Sequence, residues 1–217
     1  MAVGVGIMGK HPGFGDFVAH GLSEAARTGL DSWLSGCLLP LKERTGDGWE
    51  AFWDGAPPIR FWIGRALAGR TLAGVMVASH DRVRRRFPLI LMAEGAALPP
   101  PVIDPDQAMY EAFEAHLAVM RPGEEAASLL DGLDAPLPEA EDAAAKSEGP
   151  TVWAHHPDGD LAALLAAAGP VDHARAATGR SYWWAPRGRQ GSAVWLAQPG
   201  MPGPDAFGWL LGGGADA

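Results

Sequence analysis

Only one cysteine, Cys37, occurs in 217 residues. A lone thiol closes no internal disulfide, which suits a reducing compartment. Long apolar runs are missing as well, and none reaches the length that spans a bilayer. Met1 to Gly9 carries no basic lead and is broken by glycine, so it makes a poor signal peptide. Positive charge is scarce, with 17 Lys and Arg against 26 Asp and Glu, a formal charge of −9 and a pI near 5.2. Such a balance repels phosphate backbones and argues against nucleic acid as a general partner. The expected setting is the cytoplasm, with no integral membrane segment.

Signatures of catalysis are equally thin. A phosphate loop needs spaced glycines followed by Lys and Ser/Thr at a helix start. Here His11-Pro12 follows Gly9-Lys10, and the proline removes an amide that the cradle would use. Gly13-Phe14-Gly15 lacks the third glycine of a dinucleotide fingerprint. No G-x-S-x-G elbow is present, and Cys37 lies on an apolar helix stripe where a thiol is inert. His155-His156-Pro157-Asp158 has metal-ligand residue types, but neighbours on a strand point to opposite faces. The spacing matches no zinc or calcium motif, and a turn with an Asp160 cap explains it better. No cofactor is called for.

What the chain does have is core-building capacity, with hydrophobic residues at 47% and nine tryptophans. Val3–Met8 reads as a buried first strand, and 9–15 as a turn. Leu30, Trp33, Leu34, Cys37, Leu38 and Leu41 form one apolar stripe on a helix from about Ser23 to Arg44, which Pro40 should bend or shorten. Trp49, Phe52 and Trp53 read as a short aromatic helical turn. Ile59–Ala66, Thr71–Ser79 and Phe87–Ala93 follow as strands joined by gaps too short for parallel crossovers, so an antiparallel meander is expected. Leu89-Ile90-Leu91-Met92, apolar on both faces, belongs near the middle of the sheet. Asp104, Pro105 and Gln107 look like a capped helix start carrying Met109, Phe113 and Leu117. A shorter helix is expected over 124–133. After it come a strand at Thr151–His155, a helix at Asp160–Ala168 ended by Gly169-Pro170, strands at Ser181–Ala185 and Ala193–Ala197, and a last helix at Asp205–Leu211. Alternation puts one ring of Trp183-Trp184 in the core and the other outside, where it could mark an interface.

The sharpest local feature is the run Asp81 to Leu89, in which Arg82, Arg84, Arg85 and Arg86 are packed against an apolar strand. One reading is a solvated hairpin end whose arginines satisfy Asp81 or Asp16. The other is an anion-seeking or protein-docking patch, since guanidinium forks suit carboxylates and phosphates.

Several segments resemble the TagF family, accessory proteins of bacterial type VI secretion systems. The family's first turn is matched by Gly9, Lys10, Pro12, Gly15, Asp16, Phe17 and Val18. A Pro-x-Trp-Arg-Phe strand is similar to Pro58-Ile59-Arg60-Phe61. The hairpin segment is similar to Ser79, Asp81, Arg82, Val83, Arg85, Phe87, Pro88 and Leu89, with Arg84 standing where the family has glycine and Ala78 where it has proline. The match covers about the first 95 residues.

This resemblance implies an α+β fold, mainly an antiparallel sheet flanked by helices in a three-layer, longin- or profilin-like arrangement. Residues 1–133 would form the TagF-like domain and 134–149 an acidic Pro/Ala linker. Residues 150–217 would form a smaller lobe, either separate or extending the same sheet. It further implies a non-enzymatic, cytoplasmic, post-translational repressor that binds the forkhead-associated scaffold protein of the secretion system. Lys10, Asp16, Arg60, Ser79, Asp81, Arg82 and Arg85 are then the residues expected to organise loops or meet the partner, with Asp16, Arg60, Asp81, Arg82 and Arg85 in one cluster. Two rivals stand beside it: an enzyme handling phosphate or nucleotide with that Asp/Arg cluster, and a structural subunit of the apparatus.

Overall fold

The protein is described by a computed structural model over residues 3–141, 155, 157–188 and 191–214. Seven strands form one sheet: β1 (Gly4–Gly9), β2 (Val18–His20), β3 (Ile59–Ile63), β4 (Leu72–Val77), β5 (Leu89–Glu94), β6 (Arg180–Ala185) and β7 (Val194–Pro199). Their order is β2-β1-β5-β4-β3-β6-β7, and every neighbouring pair is antiparallel. The expected meander is β3-β4-β5, and β5 is buried along its whole length between β1 and β4. That is where a strand apolar on both faces has to go. The fold is α+β, a mainly antiparallel sheet between helical layers.

The alternation of side chains divides the interior in two. On one face Met8, Phe61, Met76, Ile90, Met92 and Trp183 pack against α1 (Glu24–Thr45), α2 (Trp49–Asp54) and α6 (Pro204–Leu211). On the other, Ile7, Trp62, Val75, Leu91 and Trp184 pack against α4 (Ala108–Val119) and the 3-10 turn Ala126–Leu130. Trp183 stacks on Phe61 at 5.3 Å between ring centroids, and Trp33 of α1 lies 4.8 Å away. Each tryptophan so buried removes roughly 150–250 Å² from water. That is worth about 4–6 kcal/mol before the entropy of ordering is subtracted.

The stripe expected on α1 is the buried one, with Leu30, Leu34, Cys37 and Leu41 inward. Pro40 does not shorten the helix, which runs on to Thr45. Pro40 and the residue whose carbonyl it leaves unbonded, Gly36, are both on the solvent side, so water can take that carbonyl. Solvent exposure also explains a correction further on. The helix expected to stop at Gly169-Pro170 continues as α5 (Leu161–Ala177) with Pro170 inside it, and Ala166 and Pro170 both face water. Its start is as read, with the Asp160 carboxylate accepting from the Ala163 amide at 3.0 Å.

Other expectations need revision. The strand β2 was not anticipated; three residues are too few for a readable alternation. The first meander strand ends at Ile63, because Gly64 opens a one-turn helix, α3 (Arg65–Ala68). The helix expected over 124–133 is only the 3-10 turn 126–130. The helix after Asp104 begins at Ala108 instead, and it is the Asp106 carboxylate that accepts from the Ala108 amide, at 3.0 Å. Gln107 completes no capping box, because its side chain is recruited elsewhere. Neither tryptophan of the 183–184 pair is outside: Trp183 is 1% exposed and Trp184 8%, one on each face of the sheet, with Tyr110 of α4 edge-on to Trp184 at 4.9 Å.

β6 pairs with β3 through Phe61↔Trp183, so residues 180–199 continue the same sheet. Residues 139–141 lie beside 95–97, with the Ala97 amide on the Glu139 carbonyl at 2.7 Å and the Glu141 amide on the Gly95 carbonyl at 2.8 Å. Residues 142–149 of the acidic stretch, residues 151–154 of the strand expected over Thr151–His155, and His156 lie outside the described residues. Among the described residues, no helix is long and apolar enough to cross a membrane.

Candidate functional site

Antiparallel pairing of β1 with β5 brings two loops together: residues 10–17, which leave β1, and residues 78–88, which join β4 to β5. The contact starts at Gly9, whose φ is +126°. A Cβ there would stand 1.9 Å from the Pro88 carbonyl oxygen, so only glycine lets the strands approach this closely. One residue on, the Lys10 amide donates to that same carbonyl at 3.2 Å.

The centre of the cluster is Asp81, fully buried. Oδ1 accepts from the amides of Val83 (3.1 Å) and Arg85 (2.9 Å). Oδ2 accepts from Arg85 Nε at 2.6 Å and lies 3.2 Å from Lys10 Nζ. Burial alone would raise the pKa of this carboxyl. The Arg85 amide and guanidinium and the Lys10 ammonium outweigh that and hold it well below the usual carboxylate range. An aspartate at a turn start bonding amides two and four residues on is the ordinary means of fixing a tight loop. Here it also ties the hairpin to the first loop through Lys10.

The arginines divide by task. Arg82 donates its amide to the Phe14 carbonyl at 2.8 Å and Nη2 to the Gly13 carbonyl at 2.9 Å. Arg85 Nη2 donates to the Gly15 carbonyl at 2.9 Å, and Asp16 stands 3.9 Å away, almost wholly exposed. Three successive carbonyls of the first loop are thus held by the hairpin. Arg86 turns the other way, its guanidinium held by Asp54 (3.1 and 2.9 Å) and Glu50 (2.8 Å) of α2. That pairing lowers the Asp54 pKa and raises that of Arg86. Ser79 takes part through its backbone, its carbonyl accepting from the Phe87 amide (3.1 Å) and from Trp53 Nε1 (2.9 Å).

Arg84, at the tip, stands where the family pattern has glycine, and its φ is +67°. The left-handed turn is kept although an L side chain is strained there. Its Nη1 meets His80 Nε2 at 2.7 Å, while His80 Nδ1 lies 2.9 Å from the Asp81 carbonyl. A proton on Nδ1, with Nε2 accepting from Arg84, satisfies both contacts. Val83, beside it, is 64% exposed.

Lys10, Asp16, Ser79, Asp81, Arg82 and Arg85 therefore converge, and Arg60 does not join them. Arg60 lies within β3 under α4, only 4% exposed. It makes a two-pronged pair with Glu114 of α4 (2.8 and 3.0 Å), and its Nη1 donates to Gln107 at 2.9 Å. The same Gln107 oxygen accepts from Trp184 Nε1 at 2.8 Å. A strand position read only for its charge had no way to show which face it occupied.

Two features beside the hairpin escaped the reading of the sequence. One is Arg86 with its acidic pair on α2, six residues of helix that were identified by their aromatics alone. The other is a groove of about 880 Å³ between the C-terminal half of α1, the start of α2 and hairpin residues 84–87, with Leu38, Leu39 and Trp49 among its apolar lining. Leu39, off the apolar stripe by one position, was the available signal.

A family model described as the TagF N-terminal domain, type VI secretion system-associated, matches residues 6–135, a span that holds both loops, the Arg60 pair and the groove. The fold is similar to that in the crystal structure of PA0076 from Pseudomonas aeruginosa PAO1 at 2.05 Å resolution. The TM-score is 0.72 at 29% identity, over 98% of this chain and 96% of that one. No curated protein matches the chain.

Proposed function

The chain belongs to the TagF family of type VI secretion system-associated proteins, and from that premise we propose that it represses secretion post-translationally in the cytoplasm, by binding a component such as the forkhead-associated scaffold protein. The observation that carries this reading is the state of Asp81. Both its oxygens are filled by donors and its pKa is held low. A general acid or base works best with a pKa near the operating pH and must reach its substrate. Asp81 has neither property, and its role is to hold a loop in shape. What the loop offers is its exterior: Val83, Arg84 and the outer edges of Arg82 and Arg85. A preorganised cationic tip is suited to recognition, because little ordering entropy is left to lose on binding.

The test is capture of the scaffold protein by the purified chain, with secretion measured in parallel. Wild type should retain the scaffold and, when overproduced, lower secretion. Arg84→Glu should weaken both with the fold unchanged by circular dichroism. Full retention and full repression by that variant would remove the hairpin tip from the interface. Turnover of a phosphopeptide or nucleotide that is lost in Asp81→Asn would replace the binding reading with the enzymatic one.

A further inference from the structure

We infer that the groove beside the hairpin receives an acidic peptide segment of the partner, carrying at least one large apolar side chain. The inference rests on the binding function proposed above and names the chemistry of what is bound. The floor is apolar: Leu38, Trp49 and Phe87 line it, and Leu39 lies 62% exposed at its edge. A leucine this exposed, placed off the helix's buried stripe, contributes nothing to the core.

Charge along the rim selects the occupant. The Arg86 guanidinium is spent on Asp54 and Glu50, and Arg85 is largely spent on Asp81 and the Gly15 carbonyl. Lys42 and Arg84 are different. Among the described residues Lys42 makes no ion pair, and the Arg84 guanidinium bonds the His80 ring and lends only long-range charge to Asp54. Of the carboxylates at the rim, Glu50 is engaged by Arg86, which leaves Asp47. Two cations with no carboxylate bonded to them thus flank an apolar trough in a chain whose net charge is −9. An extended acidic surface would be repelled by the rest of the molecule, whereas a short acidic segment laid in the groove meets only the favourable part. The apolar side chain supplies the buried anchor that such interfaces depend on.

The experiment uses the whole chain and a fluorescein-labelled peptide of alternating aspartate and leucine, read by anisotropy. Comparison peptides carry lysine for aspartate or serine for leucine, and vesicles of phosphatidylglycerol are added as a competitor. The acidic apolar peptide should bind, and either replacement should abolish binding. Lys42→Glu and Arg84→Glu should each weaken it by about tenfold or more, and Leu39→Ser should weaken it too. Arg27→Glu makes the same charge change on the solvent face of α1 away from the groove, and should leave binding intact. Equal weakening by Arg27→Glu, or tighter binding to vesicles than to peptide, would overturn the inference.

The scaffold protein is then captured with the same variants. Loss in Lys42→Glu and Arg84→Glu, but not in Arg27→Glu, supports the groove. Undiminished capture by both groove variants overturns it and leaves the binding function standing. Failure of wild type to capture the scaffold overturns the binding function, and the peptide measurement still decides the groove.

Discussion

The Asp81 and Arg60 centres both join carboxylate to guanidinium, and they do opposite work. Around Asp81, a fully buried carboxylate gathers donors whose other ends reach the surface, and Arg85 remains 56% exposed. Around Arg60, a buried guanidinium gathers Glu114 and Gln107 against Trp184, tying α4 to the sheet. In the first centre the acid is inside and the cations look out. In the second the cation is inside, and its partner helix closes over it. Sequence alone offered both as members of one cluster. What separates them is which of the two charges is desolvated: Asp81 lies beneath its own loop, and Arg60 lies on a strand that α4 covers.

The sharpest way to break the comparison is to strip the partner from one buried charge and to neutralise the other. Truncating Glu114 to Ala leaves the Arg60 guanidinium buried without its carboxylate. We expect a loss of about 3 kcal/mol or more in urea unfolding, the usual cost of orphaning a buried charge. Replacing both, as Arg60→Met with Glu114→Leu, should recover most of the loss, because an apolar pair of similar volume avoids the desolvation cost. Scaffold capture by the double variant should match wild type. A binding defect at full stability would place the Arg60 centre in the interface after all.

Asp81→Asn comes next in size, and its effect should be local. The fold should persist, while the amides of Val83 and Arg85 lose their carboxylate and exchange hydrogen faster by roughly tenfold or more. Its pH signature has a definite sign. A carboxyl held below its ordinary 3.8 in the folded state stabilises fully above that value, and the stabilisation is lost as the pH falls toward the folded pKa. Wild type should lose stability below about pH 3.8 more steeply than the Asn variant, measured as urea midpoints against pH.

A smaller pH effect belongs to His11 in the first loop. Burial, then repulsion from His80, lowers its pKa below 6.5, and its Nδ1 accepts from the Gly13 amide at 3.0 Å. The unfolded chain takes up a proton as the pH drops through 6.5 and the folded chain resists it, so stability should decline below that point. His11→Gln should flatten the urea midpoint between pH 6.5 and the lower folded-state pKa. An unchanged slope would show that His11 contributes nothing to it.

Much of this architecture was legible because it follows from period and length. The Leu30–Leu41 stripe gave α1, two-sided apolarity put β5 inside the sheet, and short gaps made the meander antiparallel. Three kinds of feature were not legible. Prolines 40 and 170 sit inside helices because their faces meet water, which propensity does not report. Gln107 left its capping role because Arg60 and Trp184, from distant strands, compete for its oxygen. At the candidate site the loops could be placed near each other by resemblance, yet the division of the arginines into holders and presenters required their partners. Arg82 and Arg85 bond the first loop's carbonyls, so reversing their charge confounds binding with loop shape. Arg84 and Lys42 separate the two.

Arg84 also yields the smallest and most pointed test of the comparison between a presenting tip and a holding base. Its left-handed backbone costs an L residue roughly 1 kcal/mol that glycine does not bear, partly offset by glycine's greater freedom when unfolded. The contact with His80 returns some of that cost. Arg84→Gly should therefore change stability by less than about 1 kcal/mol, in the stabilising direction if the backbone term exceeds the lost contact. The same change deletes a cation from the groove rim, so peptide and scaffold binding should weaken while the urea midpoint holds or rises. Stability and binding moving in opposite directions would mark Arg84 as a residue kept for what it meets outside the molecule. A joint fall in both would make it one more holder of the loop, like Arg85.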